Sequence, residues 1–192
     1  MQKVRGALWD GSRLVVTDEL EVRDPGPGEV QVRVLASGIC HSDVNVIERG
    51  GRPTPQVLGH EGAGVVARVG AGVTGFKEGD PVAVTCQVPC GQCRACERGA
   101  YTQCPSVFAR EAEPFRWRGQ GVAGFANSSS FAGLVNVVPL QLQPAAGLSA
   151  RAAALVGCAV STGYGSAKNA ARVGEGETVV VFGVGGIGIN AI

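Results

Sequence analysis

Four cysteines lie close together in the middle of the chain, and their spacing is typical of a bound metal ion. They follow the pattern C-x2-C-x2-C-x7-C, with small or polar residues between them. Four thiolates this close can surround one Zn²⁺ tetrahedrally and leave no position for a substrate. An iron–sulfur cluster also takes four cysteines, and four unrelated thiols are a third interpretation. The residues are Cys90, Cys93, Cys96 and Cys104.

A second group of possible ligands is dispersed along the sequence. Cys40, His60 and Cys158 would form a Cys₂His set with one coordination position open. A catalytic zinc needs that open position, because the ion must polarise an oxygen that it holds directly. The residues alone leave another interpretation open, in which His60 is a structural histidine and Cys158 an ordinary core residue.

A glycine-rich turn near the end of the sequence forms a third pattern. Residues 183–188 read GVGGIG, a G-x-G-x-x-G motif after the apolar segment ETVVVF. This is the fingerprint of a dinucleotide-binding turn between a strand and a helix, although the motif alone is weak evidence. The residue that separates NAD from NADP lies about 20 positions further on, and only four residues follow Gly188. We therefore expect an N-terminal fragment that is inactive alone and does not bind nicotinamide cofactor with useful affinity.

The composition favours a folded, β-rich protein and excludes several partners. Hydrophobic residues make up 45% and charged residues 17% of the chain, and 30 of its 192 residues are glycine. The net charge is +1 and no basic stripe is present, so we expect no nucleic-acid partner. We also expect no membrane partner, because no apolar run is long enough to cross a bilayer and no signal peptide is visible. These features predict a cytoplasmic protein, where clustered cysteines are more often metal ligands than disulfides.

Short strands must position most of these residues. Alternating or apolar runs predict strands at residues 4–9, 14–22, 30–37, 62–70, 81–86 and 131–138, with a hairpin turn at Asp10-Gly11. A short helix is predicted over residues 42–49, with Ser42 as its N-cap. Alanine-rich helices opened by Ser149 and Ser161 follow, and then a buried strand at residues 177–182. We predict a β domain over residues 1–155 and the start of an α/β domain over residues 156–192.

Several motifs together resemble the medium-chain dehydrogenase/reductase family. GHEGAGVVARVGAGVTGFKEGDPV resembles its zinc signature, and CHSD, the cysteine loop and GCAVSTGYGSAKNAARV match in order. The similarity covers essentially the whole chain and is closest to the zinc alcohol dehydrogenases, including the thiol-dependent formaldehyde dehydrogenase branch. It implies a mainly β, GroES-like barrel catalytic domain followed by the start of a Rossmann domain. It also implies hydride transfer between an alcohol or aldehyde and NAD(P), by a full-length protein that forms homo-oligomers.

The resemblance assigns roles to individual residues. It implies two zinc ions per chain, a catalytic one on the Cys₂His set and a structural one on the four clustered cysteines. Ser42 matches the hydroxyl that hydrogen-bonds the substrate oxygen, Asp43 the carboxylate that orients the ligand histidine, and Glu61 the acidic neighbour that can approach the metal. Cys86 has no role and is expected to be a buried thiol. The implied cofactor contacts are His41, Thr162, Gly183, Gly185, Gly186 and Gly188, and for His41 a role as proton carrier is the alternative.

One position departs from the family pattern. Many relatives carry a histidine five residues after the first zinc cysteine, where it relays a proton to solvent, and this chain has Asn45. Because asparagine does not titrate near neutral pH, the usual relay is in doubt. Two other functions stay open. One is a non-catalytic zinc-binding module or pseudoenzyme. The other is a zinc-free quinone reductase, which the complete set of seven zinc ligands disfavours. Phe125, Phe131 and Trp117 are either pocket or core residues.

Overall fold

Two antiparallel sheets form the framework of the computed structural model, which describes residues 1–50, 55–109 and 113–192. In chain order the strands are β1 (Gln2–Trp9), β2 (Leu14–Val22), β3 (Val30–Gly38), β4 (Gln56–Val57), β5 (Glu61–Val69), β6 (Pro81–Val84), β7 (Phe115–Trp117), β8 (Gln120–Val122), β9 (Leu134–Val137) and β10 (Leu142–Pro144). One sheet has the order β4-β1-β2-β7-β8 and the other β10-β6-β5-β3-β9. The expectation of a mainly β domain is confirmed.

The predicted hairpin at the start of the chain is present. β1 and β2 pair antiparallel, with Trp9 opposite Leu14 at the closed end. The Asp10 carboxylate accepts hydrogen bonds from the backbone N–H groups of Arg13 at 2.9 Å and Ser12 at 2.8 Å. These bonds lower the pKa of Asp10, because they favour its charged form. The turn chemistry that the sequence indicated therefore fixes the register of the first sheet.

Apolar side chains from both sheets meet in one continuous core. A backbone bridge between Gly6 and Ala132 joins the two sheets at one edge. Phe131 and Trp117 pack against this core, so for them the core interpretation is the one that the structure favours. The core residues are Leu8, Leu20, Val22, Val30, Val32, Val57, Val66, Val82, Val84, Phe115, Val122, Ala132, Leu134, Val135, Val137 and Leu142.

Helix α1 (His41–Arg49) follows β3 and begins one residue before the predicted helix. The prediction that Ser42 is its N-cap is wrong, because the N-cap is Cys40. The Asp43 carboxylate accepts the Cys40 backbone N–H at 3.0 Å, which satisfies the N-terminal donor without Ser42. Val46 anchors the buried face of the helix against Leu58 and Phe125. A second, short helix, α2 (Arg94–Glu97), lies inside the cysteine loop.

One long helical segment closes the domain. It begins with α3 (Ala150–Leu155), where Ser149 Oγ accepts the Ala152 N–H at 3.3 Å, so the predicted cap at Ser149 is confirmed. It then continues through the π-type turns of Val156–Val160, helix α4 (Ser161–Gly165) and a second π-type stretch, Ser166–Ala171. Ser161 is the first residue of α4 but does not cap it, because the chain is already helical at Val160 and the Ser161 hydroxyl donates back to the Cys158 carbonyl at 3.1 Å, as in a helix interior. The predicted domain boundary at residue 155 falls inside this segment and stays a prediction.

The strand predicted at residues 177–182 does not form. Val180 and Phe182 are exposed, and the backbone has no regular hydrogen bonding there. A parallel strand requires neighbouring strands and cover on both faces, and the described part of the chain supplies no such neighbour. The short helix α5 (Gly186–Ile189) follows. None of the helices in the described ranges has the length and apolar character needed to cross a bilayer.

Candidate metal centres

The four clustered cysteines converge on one point. The sulfur atoms of Cys90, Cys93, Cys96 and Cys104 all lie within 4.8 Å of one another. The Cys93 and Cys96 sulfurs are 3.6 Å apart, and those of Cys90 and Cys96 are 4.0 Å apart. Sulfur donors in this arrangement fit a closed, four-coordinate thiolate site. The structure therefore brings together every residue that the spacing predicted for this cluster.

Local backbone structure explains the convergence. Cys93 is the N-cap of α2, so Cys96 follows within the first turn and the Glu97 N–H bonds to the Cys93 carbonyl at 3.0 Å. A single turn at Tyr101–Gln103 then brings the chain back to Cys104. The Val88 N–H donates to the Val107 carbonyl at 2.9 Å and closes the loop at its base.

The thiols of this cluster differ in acidity. Backbone hydrogen bonding from Gln92, together with Cys104 and Cys93, lowers the pKa of Cys90 to about 7. Burial raises the pKa of Cys96 to about 11. Hydrogen bonding thus favours the thiolate form at Cys90, and burial favours the thiol form at Cys96. Binding of a metal must displace the remaining protons, since thiolate is the ligand form.

The dispersed residues also meet, and they form a second group of four. Ligand atoms of Cys40, His60, Cys158 and Glu61 lie within 4.8 Å of one another. Three separate elements supply them: the N-cap of α1, the start of β5, and the π-type turn after α3. Two sulfurs, one imidazole and a nearby carboxylate fit zinc, which accepts all three donor types. Glu61 and His60 are buried, and the two cysteines are half-buried.

Close packing of small residues brings Cys158 to this site. Alanines of α3 pack against alanines of β5 and β6, namely Ala153, Ala154, Ala63 and Ala83. At Gly157 an added Cβ would lie 2.7 Å from the Val84 carbonyl oxygen, a distance that real Cβ atoms essentially never show. Glycine at 157 therefore allows the helix to approach β6 closely enough to present Cys158.

Asp43 links three parts of the dispersed site. Its buried carboxylate accepts the Cys40 N–H through Oδ2 at 3.0 Å and the Gly59 N–H through Oδ1 at 2.9 Å. Oδ1 also lies 3.3 Å from His60 Nδ1. When Nδ1 donates its proton to Asp43, the lone pair of neutral Nε2 is free for a metal, an arrangement common around zinc-binding histidines. A single carboxylate thus orients two of the ligand segments.

The same contacts control the protonation of the dispersed site. The hydrogen bond to Asp43, and then that to Cys158, raises the pKa of His60 to about 11. Burial acts to raise the pKa of Cys40, but hydrogen bonds from the Ser42 backbone and hydroxyl outweigh it and lower that pKa. His60 acts to lower the pKa of Cys158, but burial and the Cys40 thiolate outweigh it and raise that pKa.

A cavity of about 570 Å³ lies beside the dispersed site. One face of α1 lines it, through side chains three, four and seven positions after Ser42. The Ser42 hydroxyl lies 3.7 Å from the Cys40 sulfur. Ser42 therefore contacts both the cavity and the dispersed site. Phe125 lines the cavity and also packs its ring edge on His60, with centroids 5.6 Å apart. The residues on the α1 face are Ser42, Asn45, Val46 and Arg49.

Sequence reasoning missed several of these lining residues. Helical spacing from Ser42 identifies Val46 and Arg49 once α1 is assigned, so a signal for them existed. Phe108 and Gln56 also line the cavity, but they come from loops and strands distant in sequence and carry no local signal. Cys86, which has no implied role, is a half-buried thiol whose pKa is raised by burial.

The predicted cofactor contacts come from three separate segments of the chain, α1, α4 and the glycine turn before α5. Thr162 is exposed in α4, and His41 is the exposed first residue of α1. The glycine motif forms a turn into α5, with Gly185 as the N-cap and Gly186 as the first helical residue. Ala159 contacts this turn, because a Cβ at Gly186 would lie 3.4 Å from its methyl group. The cofactor role of all six positions stays a prediction.

Comparison with known proteins gives a consistent family. The model of the alcohol dehydrogenase GroES-like domain matches residues 26–141. A Mycobacterium tuberculosis protein assigned provisionally as alcohol dehydrogenase D is 37% identical over 201 aligned positions, which cover all of this chain and 55% of that protein. The chain therefore spans about half the length of the curated relatives that it matches. No relative's activity follows from that alone.

Solved structures agree with this family. An alcohol dehydrogenase zinc-binding domain protein from Burkholderia ambifaria superposes with a TM-score of 0.89 at 31% identity, over 99% of this chain and 55% of that one. Acetophenone reductase from Geotrichum candidum, solved in complex with NAD, superposes with a TM-score of 0.79 at 31% identity, over 100% of this chain and 54% of that one. The expectation of a GroES-like fold is confirmed.

Asp43→Asn should weaken zinc binding at the dispersed site. The amide keeps the shape of the carboxylate but removes the charge that holds His60 and the acceptor for one N–H. Loss of such an orienting group typically lowers metal affinity about 10- to 100-fold. Competition with a chromophoric chelator measures the change. Asp80→Asn is the matched control, since Asp80 pairs with Lys77 on the surface. An unchanged affinity in Asp43→Asn contradicts the orienting role.

Zinc binding to the dispersed site should release protons and tighten as pH rises. The pKa of His60 is raised to about 11, so the metal-free imidazole is protonated throughout the neutral range and the metal must displace that proton. The raised pKa also stabilises the metal-free fold fully below about pH 6.5, and this stabilisation is lost as pH rises through the folded value. Calorimetry in buffers of different ionisation enthalpy measures proton release. Equal binding enthalpies in all buffers contradict the prediction.

Proposed function

We infer the function from the family, since the chain belongs to the alcohol dehydrogenases with a GroES-like domain. We propose that it is the zinc-carrying N-terminal portion of an enzyme that transfers hydride between an alcohol or aldehyde and NAD(P). The observation that carries this proposal is the contrast between two ligand groups. One is a closed set of four sulfurs, and the other is a mixed set beside a cavity.

We assign one zinc ion to each group. Four thiolates complete a tetrahedral shell, so Cys90, Cys93, Cys96 and Cys104 hold an ion that stabilises the loop. Cys40, His60 and Cys158 would supply three ligands and leave a fourth position open, and Ser42 and Phe125 connect this site to the cavity. Glu61 brings its carboxylate to the same point and would be able to supply an oxygen ligand there.

The chemistry of the proposed reaction divides between metal and protein. Zinc at the dispersed site supplies Lewis acidity, which makes an alcohol substrate far more acidic than it is in water. The Ser42 hydroxyl, at the boundary between site and cavity, accepts the alcohol proton while it donates its own proton to water. Val46 and Phe125 form the apolar wall of the cavity, which orients the carbon chain. Asp43 keeps the histidine ligand in its Nδ1–H tautomer.

The proton must then leave Ser42. Asn45 lies one helical turn further along the cavity-lining face of α1 and has no titratable group. His41 is exposed at the start of the same helix. We propose that His41 contacts the cofactor, and that water in the cavity carries the proton onward from Ser42. Direct proton transfer through Asn45 is excluded by the chemistry of the amide.

The remaining assignments complete the proposal. Residues 1–155 form the zinc-binding catalytic domain, and residues 156–192 begin a nucleotide-binding domain. The glycine turn approaches the pyrophosphate of NAD(P) because glycine leaves its backbone N–H groups accessible. Thr162 contacts the cofactor from α4, and the full-length enzyme assembles as a homo-oligomer. The cofactor-binding glycines are Gly183, Gly185, Gly186 and Gly188.

We predict two zinc ions per chain with separable roles. Cys93→Ser should lower the melting temperature, because the loop loses one ligand of its closed site. Cys40→Ser should abolish alcohol oxidation by the full-length enzyme and leave most of the fold intact. Elemental analysis, a thermal melt and a nicotinamide absorbance assay measure the three quantities. One zinc or none, iron in place of zinc, or equal effects of both variants in both assays would each contradict the assignment. Two zinc ions without any turnover of alcohols would instead indicate a non-catalytic zinc module.

Asn45→His should raise the rate of alcohol oxidation by the full-length enzyme below about pH 8. An imidazole with a pKa near 6.5 can carry a proton where hydroxide is scarce, and one positioned acid–base group is typically worth about 10²–10⁴-fold. The measurement is kcat against pH with and without added imidazole. Rescue of the unsubstituted enzyme by imidazole, without further rescue of Asn45→His, supports a limiting proton path. A flat response in both proteins refutes it.

A further inference from the structure

Asn127 belongs to neither group of candidate metal ligands, but it lies in a segment that contacts both. Its side-chain amide donates to the Cys86 carbonyl at 2.9 Å and to the Val107 carbonyl at 2.8 Å. Cys86 lies four residues before the first clustered cysteine, and Val107 lies three residues after the last. One amide group therefore holds both ends of the cysteine loop, beside the backbone bond that closes its base.

The segment that contains Asn127 also holds the histidine of the dispersed site. Two residues of this segment bind the Gly59 carbonyl: Ser130 through its N–H at 2.9 Å and Ser128 through its hydroxyl at 3.3 Å. Gly59 has a φ of +90, and an added Cβ there would lie 2.5 Å from Phe131 Cδ1. The backbone just before His60 is therefore enclosed by residues 128–131 on one side and by Asp43 on the other.

The backbone conformation around Asn127 depends on the hydrogen bonds that surround it. Asn127 has a φ of +57, and its neighbours Ala126 and Ser129 have φ values of +48 and +50. Non-glycine residues seldom adopt this region and do so where surrounding contacts compel it. The buried Gln141 amide supplies one such contact, since it donates to the Asn127 carbonyl at 3.1 Å and to the Thr85 carbonyl at 2.9 Å.

From these contacts we infer that Asn127 is a positioning residue that couples the two metal centres. Zinc in the cysteine cluster orders the loop, the Asn127 amide transmits that order to residues 128–130, and those residues fix the Gly59–His60 backbone. An occupied cluster therefore raises zinc affinity at the dispersed site. By linkage, zinc at the dispersed site raises the affinity of the cluster by the same factor. The inference rests on the two metal assignments proposed above.

A cycle of zinc affinities tests the coupling with the chain itself. The dispersed site is identified as the binding step that Cys158→Ser abolishes, and Cys93→Ser disables the cluster. Couplings between sites are typically about 5- to 150-fold. We expect Cys93→Ser to weaken the dispersed site about tenfold, and to have less than about a twofold effect once Asn127→Asp is present. Asn127→Asp retains the positive φ but places a carboxylate oxygen against two carbonyl oxygens.

Asn136→Asp is the matched control. Asn136 also donates its amide to a backbone carbonyl, that of Arg23 at 3.0 Å, but in strand β9 and outside this path. It should leave the effect of Cys93→Ser at about tenfold. Asn127→Gly keeps the backbone conformation without introducing charge and should behave as Asn127→Asp does. If Asn127 had only a structural role, Asn127→Asp would lower the zinc affinity of the dispersed site equally with and without Cys93→Ser. The ratio of these two affinities would then stay unchanged.

The possible results separate the inference from the proposed function. If Cys93→Ser has the same effect in both backgrounds, or if Asn136→Asp acts as Asn127→Asp does, Asn127 does not couple the sites. If the chain binds no zinc that depends on Cys158, the metal assignment and the coupling both fail. Should Cys93→Ser unfold the chain, zinc release from the loaded protein to excess chelator replaces the cycle. The dispersed zinc should then leave several-fold faster from Asn127→Gly than from Asn136→Asp, and equal release rates overturn the coupling.

Discussion

The buried carboxylate of Asp43 is the interaction on which the dispersed site depends. It joins the N-cap of α1 to the turn before β5 and faces the imidazole between them. A buried carboxylate is costly unless its oxygens are fully hydrogen-bonded, and here backbone N–H groups and His60 meet that requirement. The contacts that satisfy the Asp43 carboxylate are therefore the same contacts that position Cys40 and His60. Any movement of α1 relative to β5 would leave a buried charge without partners.

The second constraint is the distance between the helical segment and the sheet, and small side chains set it. The alanines of α3, β5 and β6 and the glycine at position 157 allow a helix to pack almost directly on sheet backbone. Larger side chains would move the helix outward and carry Cys158 away from His60. The barrel thus supplies two of the proposed ligands from its own strands and loops, and the close helix supplies the third. Geometry of the metal site is a property of the whole domain rather than of one loop.

Much of this arrangement could be predicted from the sequence, but unevenly. The cysteine cluster is local, so its spacing alone brought the four residues together, and Asp10-Gly11 identified the first hairpin. The dispersed site depends on contacts between distant segments, and only the family resemblance connected Cys40, His60 and Cys158. Asn127 carried no local signal, because its role lies in long-range hydrogen bonds. The strand expected at residues 177–182 failed for a related reason, since a parallel strand takes its stability from neighbours.

The unbroken helical segment from Ala150 to Ala171 has a consequence for how such chains can diverge. Cys158 and Thr162 are four positions apart on it, so they share one face and lie about one turn from each other. A single inserted or deleted residue between them would rotate one by roughly 100° relative to the other. If Thr162 contacts the cofactor as proposed, a change of length between these positions would therefore separate that contact from the metal ligand Cys158 proposed above.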